Sequence, residues 1–519
     1  MPITGTILGV AQQDADRPAI VGADGHLSYA ELVEDSRRLF AAVDALHRAQ
    51  SSPPVPARET GGIPITAISV ESAFHTARVV AGLAGYRAVS ATIDPRWPLE
   101  HRVGVVQATG IGVVISDATD LAEALSARGW TGTVLSLDEF RRSEACVEPA
   151  SAPTVRDADE AFLLLFSSGT TSNPKAFLKT RRQYRANVTV SAAHLEPMPG
   201  VATLAPGPVS YSLTLYAVIE CLATGGSVHL ADTFDPLENG RRIQSEQITR
   251  VVAVPAVVRA VVDAARRDAA RFAALQLIVT GGANLPQALR DALAGVLPGV
   301  RLISYYGAAE IGFIGDSREG DGTLISVYDG VRARIDDGSD NGEPGTVWVL
   351  ADACSDGYIS ATTDAALKGP DGWATVHDQG RMVDGRLQLI GRAGDIAVTG
   401  GHKVALPEVE RAFDGMPGLG AACAVALPDA RLGSVVALVI EVMGAGASSA
   451  GAAPDADATG AASSVPDKHA LQAWARERLA PQFVPHRWYR IDRLPRTVGG
   501  KIRRGEATER VMAGEAERL

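Results

Sequence analysis

The chain has 519 residues, 46% of them apolar, 21% charged, with a net charge of −11, so two or more domains are expected. That acidic balance argues against nucleic acid or an anionic membrane as the main partner, and an anionic ligand would need a local positive site. Cys146, Cys221, Cys354 and Cys423 are scattered, which points to reduced thiols in a cytoplasmic protein rather than a zinc site or disulfide framework, and neither a signal pattern nor a membrane-length apolar run is found.

Ser28-Tyr29-Ala30-Glu31-Leu32 opens a helical pattern with Leu32, Leu39 and Val43 on one face. Residues 51–62, rich in Pro and Gly, read as a loop. A helix is predicted over 74–83, then an apolar strand ending at Ile93. Asp94-Pro95-Arg96-Trp97-Pro98 forces a turn, because two prolines exclude helix and central strand. Strand candidates follow at 112–116 and 133–137. Helices alternating with unbroken apolar strands indicate α/β layers with a parallel sheet.

The stretch from Phe162 to Phe166 is apolar without alternation, which reads as a buried strand. It runs into Ser167-Ser168-Gly169-Thr170-Thr171-Ser172-Asn173-Pro174-Lys175. Such a loop can turn its N–H groups inward as an anion nest, with hydroxyls as added donors and the lysine as a point charge. It reads as a triphosphate cradle outside the Walker pattern, or else as an ordinary Ser/Thr/Gly turn.

A helix is predicted over 181–194, then a rigid turn, Ala205-Pro206-Gly207-Pro208-Val209-Ser210-Tyr211-Ser212, that presents a tyrosine. Strands are expected at 251–254, 277–279 and 302–304. The second runs into Thr280-Gly281-Gly282-Ala283-Asn284, with Asn284 as a cap for the next helix and Pro286 in its first turn. The third ends in Tyr305-Tyr306-Gly307-Ala308-Ala309-Glu310, read as a loop. Strand ends finishing in Gly-containing loops suggest one shared site, since ligands of open α/β sheets sit at the carboxyl ends of strands.

From about Asp329, short apolar runs separated by turns read as a small antiparallel β unit. Gly391-Arg392-Ala393-Gly394-Asp395 marks a boundary. Beyond it come an alternating strand, a helix opened by Pro407, strands around Cys423 and Val436, and a helix over 468–479 with Leu471, Trp474 and Leu479 on one face. Residues 444–466 are Ala/Gly/Ser-rich and read as a flexible insertion. A glycine turn then presents a lysine at Gly499-Gly500-Lys501.

In this order and spacing the pieces resemble the acyl-adenylate-forming enzymes: acyl-CoA synthetases, luciferases and peptide-synthetase adenylation domains. The loop 167–175 resembles the family's phosphate loop, Tyr306-Gly307-Ala308-Ala309-Glu310 its Tyr-Gly-x-Thr-Glu motif, and Gly391-Arg392 and Gly500-Lys501 two further motifs. The resemblance implies an α/β N-terminal AMP-binding domain over 1–391, with several subdomains, parallel sheets and a small β unit. It implies a small mobile α+β C-terminal domain over 392–519, rotating about Gly394 between two half-reactions. It also implies roles. Ser167, Ser168, Gly169, Thr170, Thr171 and Lys175 would hold the β- and γ-phosphates of ATP. Glu310 would bind Mg²⁺. Tyr306 would stack on adenine, with Gly282 and Ala283 giving room. Asp378 would bind the ribose hydroxyls, assisted by Arg392. Lys501 would bridge the carboxylate and α-phosphate as the catalytic lysine. His377, where the family often has Gly, is read as structural.

Several positions depart from the family pattern. Ser172 and Ala176 replace phosphate-loop glycines, Ala309 replaces a hydroxyl residue, Gly394 a charged hinge residue and Val398 a frequent lysine. None removes Glu310, Asp378, Arg392 or Lys501. By alignment, Ser212 stands where α-amino-acid enzymes carry an aspartate, which disfavours an ammonium-bearing substrate. By the same alignment Tyr211 takes the gate position, and Leu213, Tyr216, Gly281, Tyr305 and Phe313 would line the acyl pocket beside it. The aromatics suggest an aryl acid or a short to medium acyl chain. Gly400 and Gly401 resemble the thiol passage of CoA ligases. The chain ends soon after Lys501, so the acceptor is expected to be free CoA or the phosphopantetheine of a separate carrier protein. The leading expectation is an ATP- and Mg²⁺-dependent acid–CoA ligase. Alternatives are a stand-alone enzyme loading a carrier protein and a non-catalytic nucleotide-binding protein.

Overall fold

The computed structural model describes residues 3–167, 174–282, 285–336, 344–399, 402–429, 432–442, 466–479, 483–497 and 501–519. The chain divides into two compact units: Met1–Arg334 with Trp348–Val376, and Ile335–Val347 with His377–Leu519. No helix among the described residues is long and apolar enough to cross a membrane.

The larger unit is α/β. One of its sheets has the spatial order Thr133–Leu135, Val113–Ser116, Ile65–Ser69, Val89–Thr92, Ala161–Phe166, Ala176–Thr180. All neighbours are parallel except the last pair, which is antiparallel. Its central strands bury every residue, as strands covered on both faces do. The second sheet lays Pro18–Gly22, Ser227–Ala231, Ala202–Pro206, Arg250–Ala253, Leu277–Thr280 and Arg301–Ala308 side by side in parallel. Gly312–Ser317 continues it antiparallel.

Helix ends follow local chemistry. Tyr29–Arg48 opens on a capping box between Ser28 and Glu31, and it buries the predicted Leu32, Leu39 and Val43. Arg181–His194 has the predicted bounds and opens on a box between Thr180 and Gln183. The larger unit's core also holds an ion pair: Arg250 Nη2 meets Glu220 Oε2 at 3.2 Å, with the side chains 2% and 3% exposed. Burial pushes the Glu220 carboxyl up to about 7 even beside this partner.

The smaller unit is α+β. It contains the hairpin Asp378–Val383 and Arg386–Arg392. Its sheet pairs Ala422–Asp429 antiparallel with Gly433–Glu441, which runs parallel to Arg487–Ile491. Trp488, Leu471 and Ala475 are buried in its core, with Trp474 and Leu479 packed at the edge. Of the expected insertion, residues 444–465 lie outside the described residues.

Four local readings change. The strand at Thr133 stops at Leu135, because Ser136 and Glu139 form a capping box for the helix Leu137–Cys146. Ala205 and Pro206 end the strand Ala202–Pro206 instead of opening a turn. The helix after Leu277–Thr280 begins at Gln287 with Pro286 as its cap residue, and the expected cap Asn284 lies outside the described residues. Tyr305 to Ala308 are strand rather than loop. They pair with Gly312–Ser317, and a bulge between Tyr306 and Gly307 absorbs the register shift.

Candidate active site

The buried strand Ala161–Phe166 delivers Ser167. Ser168, Gly169, Thr170, Thr171 and Ser172 lie outside the described residues. The two ends of this loop are tied together. Ser167 N donates to Lys175 O at 2.8 Å, and Lys175 N donates to Ser167 Oγ at 3.2 Å. The Lys175 ammonium lies 5.1 Å from the centroid of the Tyr358 ring, within cation–π range. Tyr358 forms a backbone bridge with Phe177, two residues after Lys175. Its hydroxyl donates to Glu310 Oε1 at 3.1 Å. Lys175, Tyr358 and Glu310 therefore form one continuous cluster at the exit of the hydroxyl-rich loop. No motif in the sequence marks Tyr358.

Glu310 is 7% exposed, and the peptide units around it are pinned. Ala309 O accepts from the Tyr216 hydroxyl at 2.7 Å. Glu310 O accepts from Ser355 N at 2.8 Å and from Lys179 Nζ at 2.8 Å. Lys179 is 1% exposed, and burial pushes its ammonium down to about 8. Sequence reading also missed Lys179. Its signal was a lysine in the otherwise apolar run Ala176-Phe177-Leu178. Among the described residues no group of three or more His, Cys, Asp or Glu is placed to hold a metal ion. A cation at Glu310 would take most of its oxygens from phosphates and water, a donor set that fits Mg²⁺. Tyr306 lies half-buried in the same strand as Tyr305. Gly282 has φ +77°, a left-handed conformation natural to glycine. Ala283 lies outside the described residues.

Four of the expected acyl-pocket residues pack on one another. Tyr305 and Phe313 meet edge to face with centroids 4.9 Å apart, and Phe313 meets Tyr216 at 5.7 Å. Gly281 packs so closely on Tyr305 that an added Cβ would lie 2.4 Å from its ring. Tyr211, Ser212 and Leu213 sit half-buried at the start of the helix Ser212–Thr224, which also carries Tyr216. The Arg96 guanidinium lies 5.7 Å over the Tyr211 ring, a contact sequence reading did not foresee. Both Arg96 Nε and Nη2 donate to Asp94 at 2.9 Å.

In the smaller unit, Asp378 and Arg392 are direct partners across the hairpin. His377 has φ +63°, which accounts for glycine being common at this position in the family it resembles. Gly394 lies exposed in the short turn Ala393–Asp395. Gly400 and Gly401 lie outside the described residues. Lys501 is exposed. Thr497 N donates to Lys501 O at 2.7 Å, Lys501 N donates to Thr497 Oγ1 at 3.1 Å, and Arg496 bridges Ile502. Three residues on, Arg504 Nε donates to Asp395 Oδ1 at 2.6 Å and Nη1 to Glu410.

Comparison with known proteins shows the family and the fold. The family model described as AMP-binding enzyme matches residues 9–359, and that of the AMP-binding enzyme C-terminal domain matches residues 408–501. The uncharacterised acyl-CoA ligase YhfT of Bacillus subtilis is 27% identical over 519 residues, covering 97% of each chain. A feruloyl-CoA synthase from an Amycolatopsis species is 27% identical over 439 residues, covering 80% of this chain and 83% of its own. The ATP-bound structure of MatB from Rhodopseudomonas palustris superposes with a TM-score of 0.81 at 20% identity, covering 98% of each chain.

Proposed function

The chain belongs to the AMP-binding enzyme family, and from this premise we propose that it joins a carboxylic acid to the thiol of CoA at the expense of ATP. The observation that carries the reading is the Lys175–Tyr358–Glu310 cluster at the exit of the hydroxyl-rich loop. It sets a fixed cation and a buried carboxylate beside the segment expected to take polyphosphate. A carboxylate oxygen of the acid attacks the α-phosphorus, the bond to the β-phosphate oxygen breaks, and pyrophosphate leaves. The CoA sulfur then attacks the acyl carbonyl, and AMP leaves.

Two anions must approach in the first step, so preorganised positive groups do most of the catalytic work. Lys175 and the loop from Ser167 to Thr171 hold the β- and γ-phosphates. Glu310 holds Mg²⁺, which when bound neutralises phosphate charge. Tyr306 packs on adenine beside Gly282 and Ala283. Asp378, with Arg392 as its cross-strand partner, takes the ribose hydroxyls. Lys501 contacts the carboxylate and the α-phosphate. The division of labour is an N-terminal domain over 1–391 and a mobile C-terminal domain over 392–519 hinged at Gly394, with Gly400 and Gly401 lining the path of the thiol.

The substrate is an aryl acid or a short to medium acyl chain. Three aromatic rings, those of Tyr305, Phe313 and Tyr216, pack on one another where the acyl pocket is expected, and Ser212 offers no counter-charge to an ammonium. Likeness to a feruloyl-CoA synthase, named for an aryl acid, supports the same class. The four cysteines are all free, in keeping with a cytoplasmic setting. Lys501→Ala tests the assignment. It is expected to lower pyrophosphate release by about 10²–10³-fold, as for loss of one fixed transition-state donor. Thioester formation from preformed acyl-adenylate should survive. Equal loss in both half-reactions would refute the role given to Lys501.

A further inference from the structure

Lys179 lies in the strand Ala176–Thr180, which follows the phosphate loop, and its side chain is almost wholly buried. A buried ammonium is costly unless it is well satisfied. This one makes no ion pair among the described residues. It donates instead to two main-chain carbonyls from separate segments, Glu310 O at 2.8 Å and Ala353 O at 2.6 Å. Hydrogen bonds from a charged donor are stronger than neutral ones, so the lysine ties the loop-exit strand to both segments.

The effect converges on one side chain. The Ala309 carbonyl is held by Tyr216 and the Glu310 carbonyl by Lys179 and Ser355. The peptide planes on both sides of the Glu310 Cα are thus fixed. Tyr358 then holds one carboxylate oxygen. Lys175, at the opening of the same strand, packs its ammonium on that tyrosine. The strand therefore touches Glu310 twice: through Lys175 and Tyr358 at the carboxylate, and through Lys179 at the backbone. Outer partners of this kind set the orientation of a metal-binding carboxylate.

We propose that Lys179 is a positioning residue which, by holding the Glu310 carbonyl, fixes the Glu310 carboxylate for the cation of the metal–ATP complex. This rests on the assignment of Glu310 to Mg²⁺ above. Calorimetric titration of the full chain with MgATP, and separately with AMP, reads binding without turnover. Lys179→Met is expected to weaken MgATP binding by roughly 10- to 100-fold, the range for loss of an outer partner of a metal ligand. AMP binding should be unchanged. In a Glu310→Gln background the same change should have little further effect, because the two act as one unit.

Equal weakening of MgATP and AMP, or of neither, overturns the proposal, as does an undiminished Lys179→Met effect on top of Glu310→Gln. If Glu310→Gln alone leaves MgATP binding unchanged, the metal assignment itself falls, and the proposal falls with it. Normal Lys179→Met beside a weakened Glu310→Gln removes only the inference. Should Lys179→Met not fold, Lys179→Gln keeps a neutral donor of similar length and is put through the same titrations. Failure of both to fold makes the lysine structural and overturns the proposal.

Discussion

Tyr358→Phe removes one oxygen from the centre of the proposed site and little else. The hydroxyl donates to Glu310 Oε1 at 3.1 Å. The ring, which stays, carries the Lys175 contact at 5.1 Å and an edge contact with Phe177 at 6.4 Å. A hydrogen bond to a charged group is worth about 1.5–3 kcal/mol. Glu310 is nearly buried, but Tyr358 is half-buried, so the lower end applies, about 1.5 kcal/mol. That is roughly a tenfold rise in the Mg²⁺ concentration needed for half-maximal pyrophosphate release. The midpoint of thermal unfolding should barely move, because packing is kept. The assay is pyrophosphate release at saturating acid and ATP over a Mg²⁺ series. An unchanged Mg²⁺ response in a normally folded variant would refute the coupling of Tyr358 to the cation site.

Three further outcomes are expected. Gly281→Ala drives a Cβ to 2.4 Å from the Tyr305 ring. The ring must leave its contact with Phe313, so KM for the acid should rise about tenfold or more while MgATP binding stays put, on the usual cost of overpacking of about 1–3 kcal/mol. Kinetics with the acid varied check this. Arg250→Met strands the buried Glu220 carboxyl and should destabilise the larger unit by about 3–5 kcal/mol, with Glu220→Gln on top recovering part of the loss. Chemical unfolding of both variants measures it. His47, whose Nε2 lies 3.0 Å from Thr66 Oγ1, is pushed by burial from its ordinary 6.5 down to about 4. The folded chain holds it neutral, so its contribution is complete above pH 6.5 and is lost as pH falls towards 4. On the order of 2–3 kcal/mol is lost by pH 4. Unfolding measured at pH 4.5 and pH 7 should differ less in His47→Gln.

The parts legible in the sequence were those fixed by short-range chemistry. The capping signals at Ser28 and Thr180 start their helices where they are observed. The unbroken apolar run before Ser167 gave a strand buried on both faces. Long-range pairing was not legible. Tyr306 and Gly307 looked like a loop because nothing local announces that Gly312–Ser317 folds back on them. Tyr358 lies far along the chain from Lys175 and Glu310, and only the edge pairing with Phe177 brings it between them. Lys179 is hidden in the sequence because a lysine reads as a surface residue. Its two carbonyl partners come from segments distant in sequence.

The most direct test of the central claim is pyrophosphate release with ATP and Mg²⁺ over a panel of acids, each with and without CoA. The panel runs through aryl, short to long fatty, and α- and β-amino acids. The account predicts turnover with an aryl or short to medium acyl acid, and an acyl-CoA product when CoA is present. Adenylation that ignores CoA would contradict the acceptor and favour a separate carrier protein. Absence of release with every acid, in a protein that binds ATP, would contradict the ligase reading itself.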